Sequence, residues 1–136
     1  EFAFDSLDIR AAATLSASHL RSTLPVADIV MHFEEAALAD AAARAQLTAT
    51  ALRADHPDVL ARWASAAGVT QVVTPYVPRG HLHDWMTEAT PYLAARGVAL
   101  AEWRRDWDSA IWPHAAAGFF KVKQQIPRIL AELKLT

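Results

Sequence analysis

Ala67-Gly68-Val69-Thr70-Gln71-Val72-Val73-Thr74 decides the fold, and Ala95-Arg96-Gly97-Val98-Ala99-Leu100 repeats its pattern. In each run a glycine ends a helix from the C′ position, where the left-handed conformation costs it no Cβ clash. An apolar, β-branched segment follows at once, as in a strand buried on both faces. Upstream of the first run, Asp55-His56-Pro57 opens a helix, with Asp55 read as the N-cap and Pro57 in the first turn. Leu60, Trp63, Ala64 and Ala67 supply its apolar stripe. Between the two runs, Pro75 stops the strand and Pro78-Arg79-Gly80 turns into a second helix, whose stripe is Leu82, Trp85, Met86, Ala89 and Leu93. Helix, glycine and strand alternating over short connections imply parallel crossovers. The expected class is α/β, an open and mostly parallel sheet of about four strands with helices on both faces, of nucleotide-binding type.

Working outward, Leu47 to Leu52 reads as a further strand. From Pro25, the residues Val26, Ile29, Val30, Phe33, Ala37 and Leu38 recur at helical steps, which predicts an amphipathic helix ending near Arg44. Asp28, Glu34, Glu35 and Asp40 fall largely on its other faces. Phe2 to Asp5 is expected to be a short strand, and residues 6–23 a connection with one helical turn. On the other side, residues 103–136 form an aromatic-rich tail with Trp103, Trp107 and Trp112, then Gly118-Phe119-Phe120. A last helix runs through Ile126, Ile129, Leu130 and Leu133, with Pro127 kinking or restarting it.

The 136 residues, 53% hydrophobic and 21% charged, fit one globular domain spanning the whole chain. The absence of cysteine excludes disulfides, thiolate metal sites and a cysteine nucleophile, and suits a cytoplasmic protein. No apolar run reaches the ~20 residues that span a bilayer, so no membrane association is expected. The first residue is not Met, and Glu1-Phe2 with Lys134-Leu135 match common cloning-site scars, so the chain is expected to be a fragment of a longer protein. Charge is uneven: residues 1–78 hold five Arg against nine acids, and residues 79–136 eight basic residues against six acids. That excess is too small for an electrostatic nucleic-acid footprint, and no nucleic-acid binding by this segment alone is expected.

Few strings suggest chemistry. His81-Leu82-His83-Asp84 carries metal-ligand types, but residues two apart on a helix point about 200° apart, so an ordinary helix start with Asp84 in the first turn is the plainer reading. No metal site is assigned. Trp112-Pro113-His114 and Gly118-Phe119-Phe120 read as a docking clasp, with Trp107 alongside; a catalytic His114 lacks an acid or nucleophile at any telling spacing. No G-x-S-x-G elbow, G-x-G-x-x-G loop or P-loop occurs, so no catalytic residue is assigned. A stand-alone small-molecule or nucleotide-binding protein using Tyr76, His81, His83 and His114 is the alternative. A structural dimerisation domain with an exposed patch at Trp103, Trp107, Trp112 and Phe119 is a third.

Arg53-Ala54-Asp55-His56-Pro57-Asp58-Val59-Leu60, Ala67-Gly68-Val69-Thr70-Gln71-Val72-Val73, Pro75-Tyr76 and Leu93-Ala94-Ala95-Arg96-Gly97-Val98-Ala99-Leu100 together resemble the α/β domain of photolyases and cryptochromes. In that family a strand leads to "GDP", a helix reaches "AG" and a strand, a tyrosine-containing loop follows, and a helix ends in "ARG". Ala54 stands in place of the "GDP" glycine, and nothing matches the family's opening "RRDLR" string. The tail from Arg105 to Pro127 is similar to the closing segment of bacterial FAD-binding photolyase-related proteins. The resemblance implies an accessory α/β domain of a photolyase-like flavoprotein, associated with DNA repair and not catalytic by itself. It further implies FAD or an antenna chromophore in the parent protein, near Thr74, Tyr76, Arg79 and Gly80. The implied partner is a helical FAD-binding domain, absent from these residues, or a second copy of the chain that completes the sheet.

Overall fold

The computed structural model describes residues 7–134, with four strands and five α-helices among them. In chain order these are β1 (Ala12–Ser16), α1 (Asp28–Arg44), β2 (Ala49–Arg53), α2 (Val59–Ala66), β3 (Gln71–Pro75), α3 (His81–Ala94), β4 (Ala99–Trp103), α4 (Asp106–Ile111) and α5 (Phe119–Glu132). Short 3-10 helices lie at Ser18–Arg21 and Trp112–Ala117. The protein is a mixed α/β chain whose strands pair as two parallel two-stranded sheets, β1 with β2 and β3 with β4. It divides into two compact units, one running to Glu102 and one beginning at Trp103.

In the first unit β1 and β2 run in register from Ala12 opposite Ala49 to Ser16 opposite Arg53. Alternation sorts their faces: Leu15 and Leu52, directly opposite each other, pack on the core. That core also takes Leu60, Ala61 and Ala64 from α2, Trp85, Met86, Ala89 and Leu93 from α3, Val72 from β3, and Val98 just before β4. The apolar stripes expected for α2 and α3 are therefore the buried ones, with Trp63 and Leu82 packed at the edge. Gly68 and Gly97 take φ of +66° and +69°, the left-handed values that end the two helices.

Three expectations need correction. The stretch expected to be a connection with one helical turn holds β1 as well as the 3-10 turn. Asp55 is not the N-cap of α2, which starts at Val59 after Asp58; its carboxylate instead accepts from Arg53 Nε at 2.8 Å. The stripe of α1 is turned: the helix has no buried residue, Ile29 and Phe33 are 77% and 74% exposed, and Glu34 faces inward. The strand expected at Phe2 to Asp5 lies outside the described residues.

In the second unit α4, the 3-10 turn and α5 pack together, and Ile111 and Ile129 are buried. Pro127 sits inside α5, which continues unbroken through it. Arg105 grips Asp108 with two bonds of 2.7 and 2.9 Å, the strong fork geometry. Hydrogen bonding to Arg105 holds the Asp108 carboxyl below the usual carboxylate range.

Candidate functional site: the carboxyl ends of the strands

Ligands of open α/β sheets sit beyond the carboxyl ends of the strands, where loops expose backbone N–H groups. Beyond β1, that position is filled by the protein itself. The Glu34 carboxylate accepts from Ala17 N–H at 3.1 and 3.2 Å and from Ser18 N–H at 2.9 Å, and both of those residues are buried. Burial pushes the Glu34 carboxyl up, but the Ser18 hydroxyl, these backbone N–H groups and the Arg21 charge outweigh it and hold the group below its ordinary 4.5. An anionic ligand could reach this loop only by displacing Glu34. Sequence reasoning missed the residue because its spacing placed it with the solvated acids.

Beyond β2 the polar groups form a clasp. His19 Nε2 lies 3.3 Å from the Ala54 carbonyl oxygen and 3.5 Å from Asp55 Oδ1. His56 Nδ1 lies 2.8 Å from Asp58 Oδ1, which Arg62 also approaches at 3.3 Å, and the His56 ring meets Tyr92 edge to face at 5.8 Å. The hydroxyls of Ser16, Ser65, Thr74, Thr87 and Thr90 donate to backbone carbonyls and so do not face a histidine base. Histidine, carboxylate and hydroxyl are present without the mutual geometry of an activated nucleophile.

Thr74 lies near the carboxyl end of β3, and Tyr76, Arg79 and Gly80 lie beyond it. Val77 is buried, and its N–H donates to Glu102 Oε1 at 3.3 Å, which ties this loop to the end of β4. Thr74 and Tyr76 are half-buried, and Arg79 and Gly80 are exposed. Gly80 takes φ +147° as the N-cap of α3, and its carbonyl accepts from Asp84 N–H at 3.0 Å. A Cβ there would meet no other heavy atom within 4 Å, as at Gly68, Gly97 and Gly118. His81 and His83 follow it half-buried, with His83 Nδ1 3.6 Å from Asp84 Oδ1, beyond hydrogen-bond reach. Among the described residues no group of three or more His, Asp or Glu could hold a metal ion.

The second unit presents the aromatic residues. Phe119 and Phe120 are 66% and 77% exposed and meet edge to face at 5.7 Å. The Arg104 guanidinium lies 5.1 Å from the centre of the Trp112 ring, and Arg128 Nη2 lies 3.5 Å from His114 Nε2. Trp107 and Trp103 are half-buried, while Trp112, Phe119 and Phe120 are exposed. No helix of the described residues is long and apolar enough to cross a membrane. No family model matches the chain, and neither a curated protein nor a solved structure matches it significantly.

Proposed function

We propose that this chain is the accessory α/β domain of a photolyase-like flavoprotein, without catalysis of its own, working in the cytoplasm beside a helical FAD-binding domain. In this reading the two strand pairs belong to one open sheet of about four strands with helices on both faces. Their shared core, against which Leu15 and Leu52 pack from one pair and Val72 and Leu100 from the other, supports that arrangement. FAD or an antenna chromophore would lie against the loop after β3, at Thr74, Tyr76, Arg79 and Gly80. The observation that carries this reading is the contrast between strand ends: the β1 loop is filled by Glu34, while Arg79 and Gly80 are exposed before the start of a 14-residue helix.

The test is a near-ultraviolet and visible absorption spectrum of the purified chain before and after incubation with FAD and with a deazaflavin. The expected result is a bound chromophore at near-unit stoichiometry, reduced by Gly80→Val. A chain that takes up neither compound sinks the chromophore role. It would then favour a docking domain, a reading that the exposed Trp112, Phe119 and Phe120 support independently.

A further inference from the structure

Between α1 and the β1–β2 pair lies an open pocket of about 410 Å³, inside the range of roughly 300–1,000 Å³ common for small-molecule sites, with Glu35, Ala39, Ala51 and Arg53 exposed along its walls. Side-chain size creates it. Where α1 crosses the strands it offers Leu38, Ala39 and Ala42, and β2 answers with Ala49 and Ala51, so neither wall fills the gap between them. Thr14, Ser16, Ala49, Ala51 and Arg53 alternate with Leu15 and share the strand face turned away from it, with Leu52 also lining the pocket, which is separate from the loop after β3.

The two ends of the cavity differ in chemistry. β1 and β2 are parallel with Ser16 opposite Arg53, so both residues mark the carboxyl end. Glu34 bonds to Ala17 and Ser18 just past that end, which brings Glu35, the next residue and a lining residue, to the same place. One end therefore carries an acid, a base and the Ser16 hydroxyl. The other, at Leu47 and Ala49, is apolar. Arg53 gives its Nε to Asp55 at 2.8 Å, and a guanidinium has further N–H donors to offer.

We propose that this cavity binds a free apolar α-amino acid, with its ammonium group at Glu35, its carboxylate at Arg53 and its side chain along the alanine-lined wall. An acid and a base at one mouth discriminate against ligands of a single charge, because a simple anion faces Glu35 and a simple cation faces Arg53. A head carrying both charges meets both, and the apolar body gains from leaving water. The proposal goes beyond the chromophore reading and stands without it, since it uses no residue of the loop after β3.

The test titrates the full chain with L-leucine, followed by amide chemical shifts, beside 4-methylpentanoate and 3-methylbutylamine, which each lack one charge. Saturable shifts centred on Ser16 and Arg53 are expected for leucine, with each analogue about tenfold weaker, the usual scale for one lost charged contact. Glu35→Gln should erase the preference for leucine over 4-methylpentanoate, and Arg53→Gln that over 3-methylbutylamine. Ala42→Trp should abolish binding by filling the cavity, with Ala51→Phe as a second filling variant and circular dichroism as the check on folding. Absence of saturable shifts, equal binding of the analogues, or binding unchanged in a folded filling variant each overturns the proposal.

Discussion

α1 and α3 carry apolar residues at the same helical steps, yet they are held in opposite ways. α3 buries Trp85, Met86, Ala89 and Leu93 in the core, with Leu93 and Ala89 wholly out of contact with water. α1 buries nothing completely: Val30, Met31, Leu38 and Ala42 are half-covered, Ile29 and Phe33 face outward, and the Glu34 carboxylate reaches the backbone beyond β1. One helix is fixed by area removed from water and the other largely by a charged anchor. Periodicity gives the spacing of a stripe, but depth depends on what the opposing surface can fill. Opposite α3 stand residues of α2 and the strands that fit it; beside α1 stand Ala49 and Ala51, which leave a cavity.

The largest expected effect is at α3. Leu93→Ala removes a fully buried leucine from a packed site and should cost about 3 kcal/mol in denaturant unfolding. A loss under about 1 kcal/mol would mean that α3 is no better packed than α1, against the range expected for such cavities. Glu34→Gln is the matching test on α1. It keeps the shape but weakens bonds that gain strength from charge, and should cost about 1–2 kcal/mol. Hydrogen exchange should separate the two helices, with α1 amides exchanging faster in Glu34→Gln while α3 amides change little.

The same anchor gives a pH dependence with a definite sign. Glu34 titrates below its ordinary 4.5 in the folded chain, so the folded state holds its proton less tightly than the unfolded state does. Its contribution is complete above that ordinary value and fades as pH falls through the lower folded value. The stability gap between the wild-type chain and Glu34→Gln should therefore be flat at neutral pH and close under acid. A gap that widened on acidification would show that Glu34 is not held by these N–H donors.

How far the sequence reveals this structure follows the same contrast. β3, β4, α2 and α3 were legible because Gly68, Gly97 and Pro75 punctuate them and their stripes carry large residues. β1 was not, because Ala12, Ala13, Thr14 and Ser16 give little apolar contrast; its strand character comes from pairing with β2, a long-range fact. The start of α2 was misplaced since an aspartate before a proline resembles a cap, while Asp55 is engaged by Arg53 instead. The loop at Thr74 to Gly80 could be named from its punctuation. The Glu34 anchor could not, since an inward glutamate on a half-exposed helix has the spacing of a solvated one.

Trp85→Phe probes the packed helix from the polar side. The Trp85 indole N–H is buried with no acceptor among the described residues, which costs free energy that phenylalanine would not incur. The lost ring area and the removed donor should offset each other to within about 1 kcal/mol, well short of Leu93→Ala. A larger loss would indicate that the indole N–H has found a partner in solution.

The smallest effect is expected at Phe33, and it bears most directly on the comparison. With 74% of the residue exposed, Phe33→Ser changes little that folding has removed from water, and unfolding stability should move by no more than about 0.5 kcal/mol. Ile29→Ser, one turn earlier and equally exposed, should behave alike. If either substitution cost about 2 kcal/mol, the size of a buried apolar side chain, the outer face of α1 would have to be covered in solution. Light scattering on the same samples would separate the causes. A mass that halves in the variant assigns the cover to a second copy, and an unchanged monomer assigns it to the chain itself, leaving α1 as well packed as α3.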